Sequence, residues 1–226
     1  MNNLVIQSPL VWPMQHDRTG FNFLSPITEN KTVNGKTVKI IKGYHPGIDI
    51  NAGPKPESDL NMPVVAFSSG KIIYARNAGG GWGNLLVIEH QKITWDGKPT
   101  FTRMAHFART LVKIGDFVEA GQLIGYCGKT GTTSPHLHLE FIIKKLPTWT
   151  SYIYGWSEDK VRNYFLNPKT LMEYPISSPV QLHVSTFPEA QKLMKDLGVS
   201  NGERPKDVAT REEVWEMLRR FYALQK

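Results

Sequence analysis

Four of the seven histidines and one aspartate stand in settings where residue type and spacing permit chemistry. The first setting is Gly43-Tyr44-His45-Pro46-Gly47-Ile48-Asp49-Ile50. In an extended strand His45 and Asp49 would lie more than about 10 Å apart, but Pro46 and Gly47 bend the chain and let imidazole and carboxylate converge. The second is Ser134-Pro135-His136-Leu137-His138-Leu139-Glu140. A strand period of two puts His136 and His138 on one face and Leu137 and Leu139 on the other. Imidazoles side by side, joined by a His/Asp pair, suit a divalent metal such as zinc, whose catalytic sites take nitrogen and oxygen ligands and keep one position open. The third setting is Thr102-Arg103-Met104-Ala105-His106-Phe107, which places His106 where a strand is expected to end. Loop positions at strand ends are where reactive side chains reach a cleft. His16, His90 and His183 stand alone and receive no role.

These residues need a scaffold of short strands. Residues 1 to about 145 are rich in Gly, β-branched and aromatic residues, punctuated by Asn34-Gly35, Ser69-Gly70 and Asp96-Gly97. Residues 31–40 read as a hairpin in which Asn34-Gly35 supplies the positive φ angles of a tight turn. Further strands are expected over 64–67, 71–75, 85–90, 100–105, 122–127 and 136–143. The fold class is therefore mainly β, an antiparallel sheet domain over residues 1–175, whose last part is an ordered trailing segment containing Pro147, Pro168 and Pro175. Residues 176–186 read as a linker. Residues 187–226 read as a small α-helical module: Gly198 stops a first helix, and Thr210 with Glu213 forms a capping box for a second.

The chain as a whole limits the classes open to it. Its 226 residues support one substantial core and a small second module. An apolar fraction of 40% and a charged fraction of 21% are those of an ordinary globular protein, and the longest apolar runs are far too short to cross a bilayer, so no membrane insertion is expected. Residues 1–15 lack the pattern of a secretory signal, from which synthesis in and retention by the cytoplasm are expected. With Cys127 as the lone cysteine there is no disulfide framework or Cys-based zinc cluster, and Cys127 reads as a small buried residue. The net charge of +7 points to an anionic partner. The excess lies in residues 1–150, with 16 Lys/Arg against 10 Asp/Glu, but these are scattered and form no nucleic-acid motif, so no nucleic-acid partner is expected.

The arrangement resembles the LytM/lysostaphin-type zinc endopeptidases of bacterial cell walls, from about Tyr44 to Ile143. The likeness extends to Gly81-Trp82-Gly83-Asn84 and the strand after it, to the run from Val112 to Gly125, and to Gly128-Lys129-Thr130-Gly131. The resemblance implies a duplicated-hybrid-motif fold and one zinc ion per chain held by His45, Asp49 and His138. It makes His106 and His136 the two catalytic histidines that do not bind metal, and it leaves Glu140, on the face of His138, a structural or supporting role. Met104 stands where an aromatic is common before Ala-His, and Leu139 replaces a frequent Phe. The Lys-rich hairpin before His45 is longer than the family leads one to expect.

The activity implied is hydrolysis of peptide cross-links in peptidoglycan, with the anionic wall as partner. Residues 197–214 resemble a short module of phage and bacillus wall hydrolases and half of an S-layer-homology repeat, which implies wall attachment or self-association. Together with the expected lack of an export signal, this points to a phage endolysin that reaches the wall on lysis or when added from outside. The readings set beside it are a catalytically silent wall-binding or regulatory module on the same fold and a virion-associated lysin.

Overall fold

The computed structural model describes residues 4–16, 18–151 and 153–173. The expected linker over 176–186 and helical module over 187–226 lie outside the described residues. Thirteen strands occur among those described, in the order β1 (Leu4–Ile6), β2 (Arg18–Thr19), β3 (Pro26–Val33), β4 (Lys36–Tyr44), β5 (Ile48–Asn51), β6 (Pro63–Val65), β7 (Gly70–Asn77), β8 (Asn84–Trp95), β9 (Lys98–Thr110), β10 (Phe117–Val118), β11 (Leu123–Cys127), β12 (Leu137–Ile142) and β13 (Phe165–Leu166). Helices α1 (Glu158–Tyr164) and α2 (Pro168–Met172) flank β13.

Every strand pair is antiparallel, and the main path runs β10-β7-β8-β9-β12-β5-β2. The mainly β, antiparallel expectation is what the structure has. Two turns follow directly from their dipeptides. Asn34 and Gly35 (φ 50° and 74°) join β3 to β4, and Asp96 and Gly97 (φ 50° and 73°) join β8 to β9. Positive φ at both central residues gives the turn the twist of the strands it connects. The β3/β4 hairpin is longer than 31–40 and forms its own two-stranded sheet.

Strand alternation divides the central sheet into two buried faces. Leu137, Leu139 and Phe141 of β12 and Met104 of β9 are buried on one face, where the Phe141 and Phe67 rings meet at 5.9 Å. On the other, Phe101 and Ala105 of β9 and Ile142 of β12 join a cluster with Trp82, Leu146, Ile153, Val161 and Phe165. The trailing segment is thus part of the core. Its helices carry clear local signals that the sequence reading passed over. Ser157 Oγ caps α1 through the Lys160 N–H, with Glu158 and Asp159 in the first turn, and Asn167 caps α2 ahead of Pro168.

Two expected strand limits are corrected. β9 does not end at Ala105 but continues to Thr110, so His106 lies inside it. β12 begins at Leu137, which leaves His136 one residue before the strand.

Candidate metal centre

The sheet register assembles the site. His138 on β12 pairs with Asp49 on β5 to one side and with Ala105 on β9 to the other. Directly opposed residues have neighbouring side chains, so Asp49 and His138 meet, with Nδ1 2.9 Å from Oδ1. His45 reaches them from the bend before β5: its Nε2 lies 3.0 Å from His138 Nδ1 and 3.2 Å from Asp49 Oδ1. The bend passes so close to β12 that a Cβ on Gly47 would lie 2.1 Å from the Leu139 carbonyl oxygen. Glycine is required there. His45, Asp49 and His138 offer three ligand atoms all within 4.8 Å of one another.

Hydrogen bonds behind the two rings orient the nitrogens that face Asp49. A carbonyl or an ionised carboxylate only accepts, so a ring nitrogen bonded to one carries the proton. His45 Nδ1 donates to the Gly47 carbonyl (2.9 Å), which leaves Nε2 with its lone pair. His138 Nε2 donates to Glu140 Oε1 and Nδ1 to Asp49 Oδ1, both at 2.9 Å, so without a metal this ring carries two protons, and a cation at Nδ1 would replace the second. Two imidazole nitrogens and a carboxylate oxygen therefore converge in a buried place that calls for a cation. Burial acts against a charged His138, but hydrogen bonds to Asp49 and Glu140 outweigh it and push the imidazole up to about 9. Burial would also raise the Asp49 carboxyl, yet His138 and His45 hold it well below the usual carboxylate range. A metal ion satisfies the same demand, and a set of two nitrogens and one oxygen fits zinc.

The other two histidines border this group. His106 and His136 have ring centroids 4.5 Å apart, His106 lies 6.1 Å from His138, and His136 Nε2 is 3.8 Å from Asp49 Oδ1. Each donates Nδ1–H to a loop carbonyl at 2.9 Å, His106 to Thr130 and His136 to Ser134, which leaves Nε2 as an acceptor. Burial, with His138 and His136 beside it, pushes His106 down to about 3, so it is neutral at ordinary pH.

His106 occupies a bulge. Asn84 faces Phe107 while Leu86 faces Met104, so β9 carries one residue more than β8, and His106 has a φ of 70°. A non-glycine residue in that region is uncommon, and such strain gathers at functional sites. Asn84 Nδ2 holds the bulge by donating to the carbonyls of Phe107 and Ala108. Thr130 Oγ1 donates to the Phe107 carbonyl and accepts the Asn84 N–H. Gly83, with a φ of 57°, lies so near Thr130 that a Cβ would sit 2.2 Å from its carbonyl oxygen. The runs 81–84 and 128–131, matched in sequence without an assigned role, thus position His106.

All five expected site residues come together. Asn84, Thr130, Arg103 and Trp82 were not foreseen as site residues, although all four lie in stretches that the sequence singled out. The buried Arg103 carried a signal of its own, since a charge within a strand facing a core needs a partner.

An antiparallel β domain with a His/Asp/His group able to hold a metal and two further histidines beside it has the makeup of a metal-dependent hydrolase. The profile of peptidase family M23 matches residues 43–148. Lipoprotein NlpD of Yersinia enterocolitica is 38% identical over 83 residues, which are 37% of this chain and 79% of that protein. The chain belongs to peptidase family M23. Lysostaphin of Staphylococcus staphylolyticus is 37% identical over 111 residues, 48% of this chain and 21% of that protein. The murein hydrolase activator NlpD of Escherichia coli (strain K12) is 36% identical over 117 residues, 52% of this chain and 27% of that protein. The match thus spans about a fifth to a quarter of these last two relatives. Among the described residues, no helix is long and apolar enough to cross a membrane.

Proposed function

We propose that this protein is a zinc-dependent endopeptidase that hydrolyses peptide cross-links of bacterial peptidoglycan. The observation that carries the proposal is the convergence of His45, Asp49 and His138 beside His106 and His136. His45 Nε2, Asp49 Oδ1 and His138 Nδ1 would hold the metal. A bound zinc ion supplies Lewis acidity toward water and toward the carbonyl of the scissile amide. His106 and His136 move the protons. Each presents an Nε2 lone pair, so either ring can take the proton of the attacking water there, and the imidazolium so formed returns that proton to the leaving amine. The Thr130 and Ser134 carbonyls keep both rings in the tautomer that this requires.

The test is mass analysis of peptidoglycan fragments after digestion, with walls of several cross-link types. The proposal expects new peptide termini from the wild type and none from His138→Ala. Intact wall with both proteins supports the second reading, a catalytically silent regulator, to which the description of Escherichia coli NlpD as a murein hydrolase activator lends weight. A silent module needs none of the five residues, and all are present and converge here. Service as a phage lysin and wall attachment or self-association through 187–226 are extensions of the proposal, supported by the sequence resemblance of that segment. Purified virions probed for this chain, and binding of walls by the chain cut at residue 186, test them.

A further inference from the structure

Behind the metal-ligand set lies an ion pair that stability does not explain. Arg103 and Glu140 are both fully buried and face each other directly across β9 and β12. Arg103 Nε donates to Glu140 Oε2 at 2.6 Å and Nη2 to Oε1 at 2.9 Å. Two apolar residues of like volume fill such a space without loss of stability, because removing both charges from water costs about as much as their attraction returns. What an apolar pair cannot do is accept a hydrogen bond from His138. Glu140 Oε1 takes that bond from Nε2 at 2.9 Å, and the bidentate guanidinium holds the carboxylate in place.

The guanidinium is fixed in turn by the trailing segment. Arg103 Nη1 donates to the carbonyls of Trp149 (2.8 Å) and Ser151 (3.3 Å), and the Trp82 indole N–H donates to the carbonyl of Thr150 between them (3.1 Å). The Trp82 ring lies 4.1 Å from the guanidinium and meets the His138 ring edge-on at 5.6 Å. Three successive carbonyls of the trailing segment are thus occupied by the two side chains that stand behind His138.

We propose that Glu140, Arg103 and the 149–151 segment form a positioning relay that fixes the tautomer and ring plane of His138, and so sets the affinity of the site for its metal. These residues touch neither substrate nor metal. The proposal rests on the reading of His138 as a ligand through Nδ1. An imidazole without such a partner divides between two tautomers and turns about its Cβ–Cγ bond, and loss of a partner of this kind costs a site about 10–100-fold in metal affinity.

The wild-type protein supplies the first test. In ¹⁵N-histidine-labelled, zinc-loaded protein, two-bond nitrogen–proton correlations should show the proton of His138 on Nε2. A proton on Nδ1 overturns the relay. The second test titrates zinc against a chromogenic chelator and records the visible spectrum of the cobalt-substituted protein for wild type, Glu140→Gln, Arg103→Met and His138→Ala. The relay predicts a loss of about 10–100-fold in zinc affinity for Glu140→Gln, with displaced cobalt bands. If that variant does not fold, the wild-type spectrum decides. A Glu140→Gln protein that melts lower when metal-free but keeps wild-type zinc affinity and cobalt bands has lost only packing, and overturns the relay. Failure of the underlying ligand reading looks different, since His138→Ala would then bind zinc as tightly as the wild type.

Discussion

The His45/Asp49/His138 group and the His106/His136 pair lie within a few ångströms of each other, yet they are held by different means. Asp49 and His138 sit opposite one another in regular strands, and His45 leans on them from a bend packed against β12. Their positions follow from sheet register. His106 sits in a bulge with a positive φ, and His136 precedes its strand; both are oriented by loop carbonyls. The proposed ligands gain rigidity from paired strands and a packed bend, as tight metal binding requires. The pair to which the proposal gives proton transfer is placed on irregular backbone, where side chains can be aimed at a substrate rather than at the next strand.

This division predicts that the two groups fail differently when altered. The largest effect belongs to His138→Ala, which should abolish both zinc binding and wall hydrolysis, measured by metal analysis and release of peptide termini. His106→Ala and His136→Ala should each slow hydrolysis by about 10²–10⁴-fold, the usual scale of general acid–base catalysis, while zinc content stays at one ion per chain. Asn84→Ala sharpens the comparison without touching either group. With the Phe107 and Ala108 carbonyls released, the bulge loosens and His106 drifts, so turnover should drop by up to about 10²-fold at unchanged zinc affinity.

His90 is the control for a buried histidine with no chemistry. Burial, partly offset by the Ser69 carbonyl, pushes it down to about 4 from 6.5. Its folded value is depressed, so the unfolded chain takes up the proton first as pH falls. The stability that the neutral ring contributes is complete above pH 6.5 and is lost progressively toward pH 4, a total of roughly 3 kcal/mol. Urea unfolding at pH 7.5 and 4.5 should show most of that loss in the wild type and less of it in His90→Gln.

The same division governed what could be read in advance. The approach of His45 to Asp49 and the pairing of His136 with His138 were legible because a Pro-Gly bend and period-two alternation are local rules, and the Asn34-Gly35 and Asp96-Gly97 turns were legible for the same reason. The backbone around His106 was not. A bulge is set by which residue of β8 faces β9, and nothing within 100–110 announces it. The tautomer partners Thr130 and Ser134 act through backbone carbonyls, which residue type does not encode. The Arg103–Glu140 pair depends on the register of β9 against β12, although two charged residues inside apolar strands were visible. Which of His136 and His138 belongs to the ligand set came from resemblance, and alternation alone left it open.

The most direct test of the account measures bound zinc and cleaved peptide bonds on the same samples of wild type, His106→Ala and His138→Ala. The account predicts one zinc with cleavage for the wild type, one zinc with cleavage reduced at least about 10²-fold for His106→Ala, and neither for His138→Ala. Cleavage by His138→Ala without metal, or loss of zinc from folded His106→Ala, would contradict the division of the site into a group that holds the metal and a pair that moves protons.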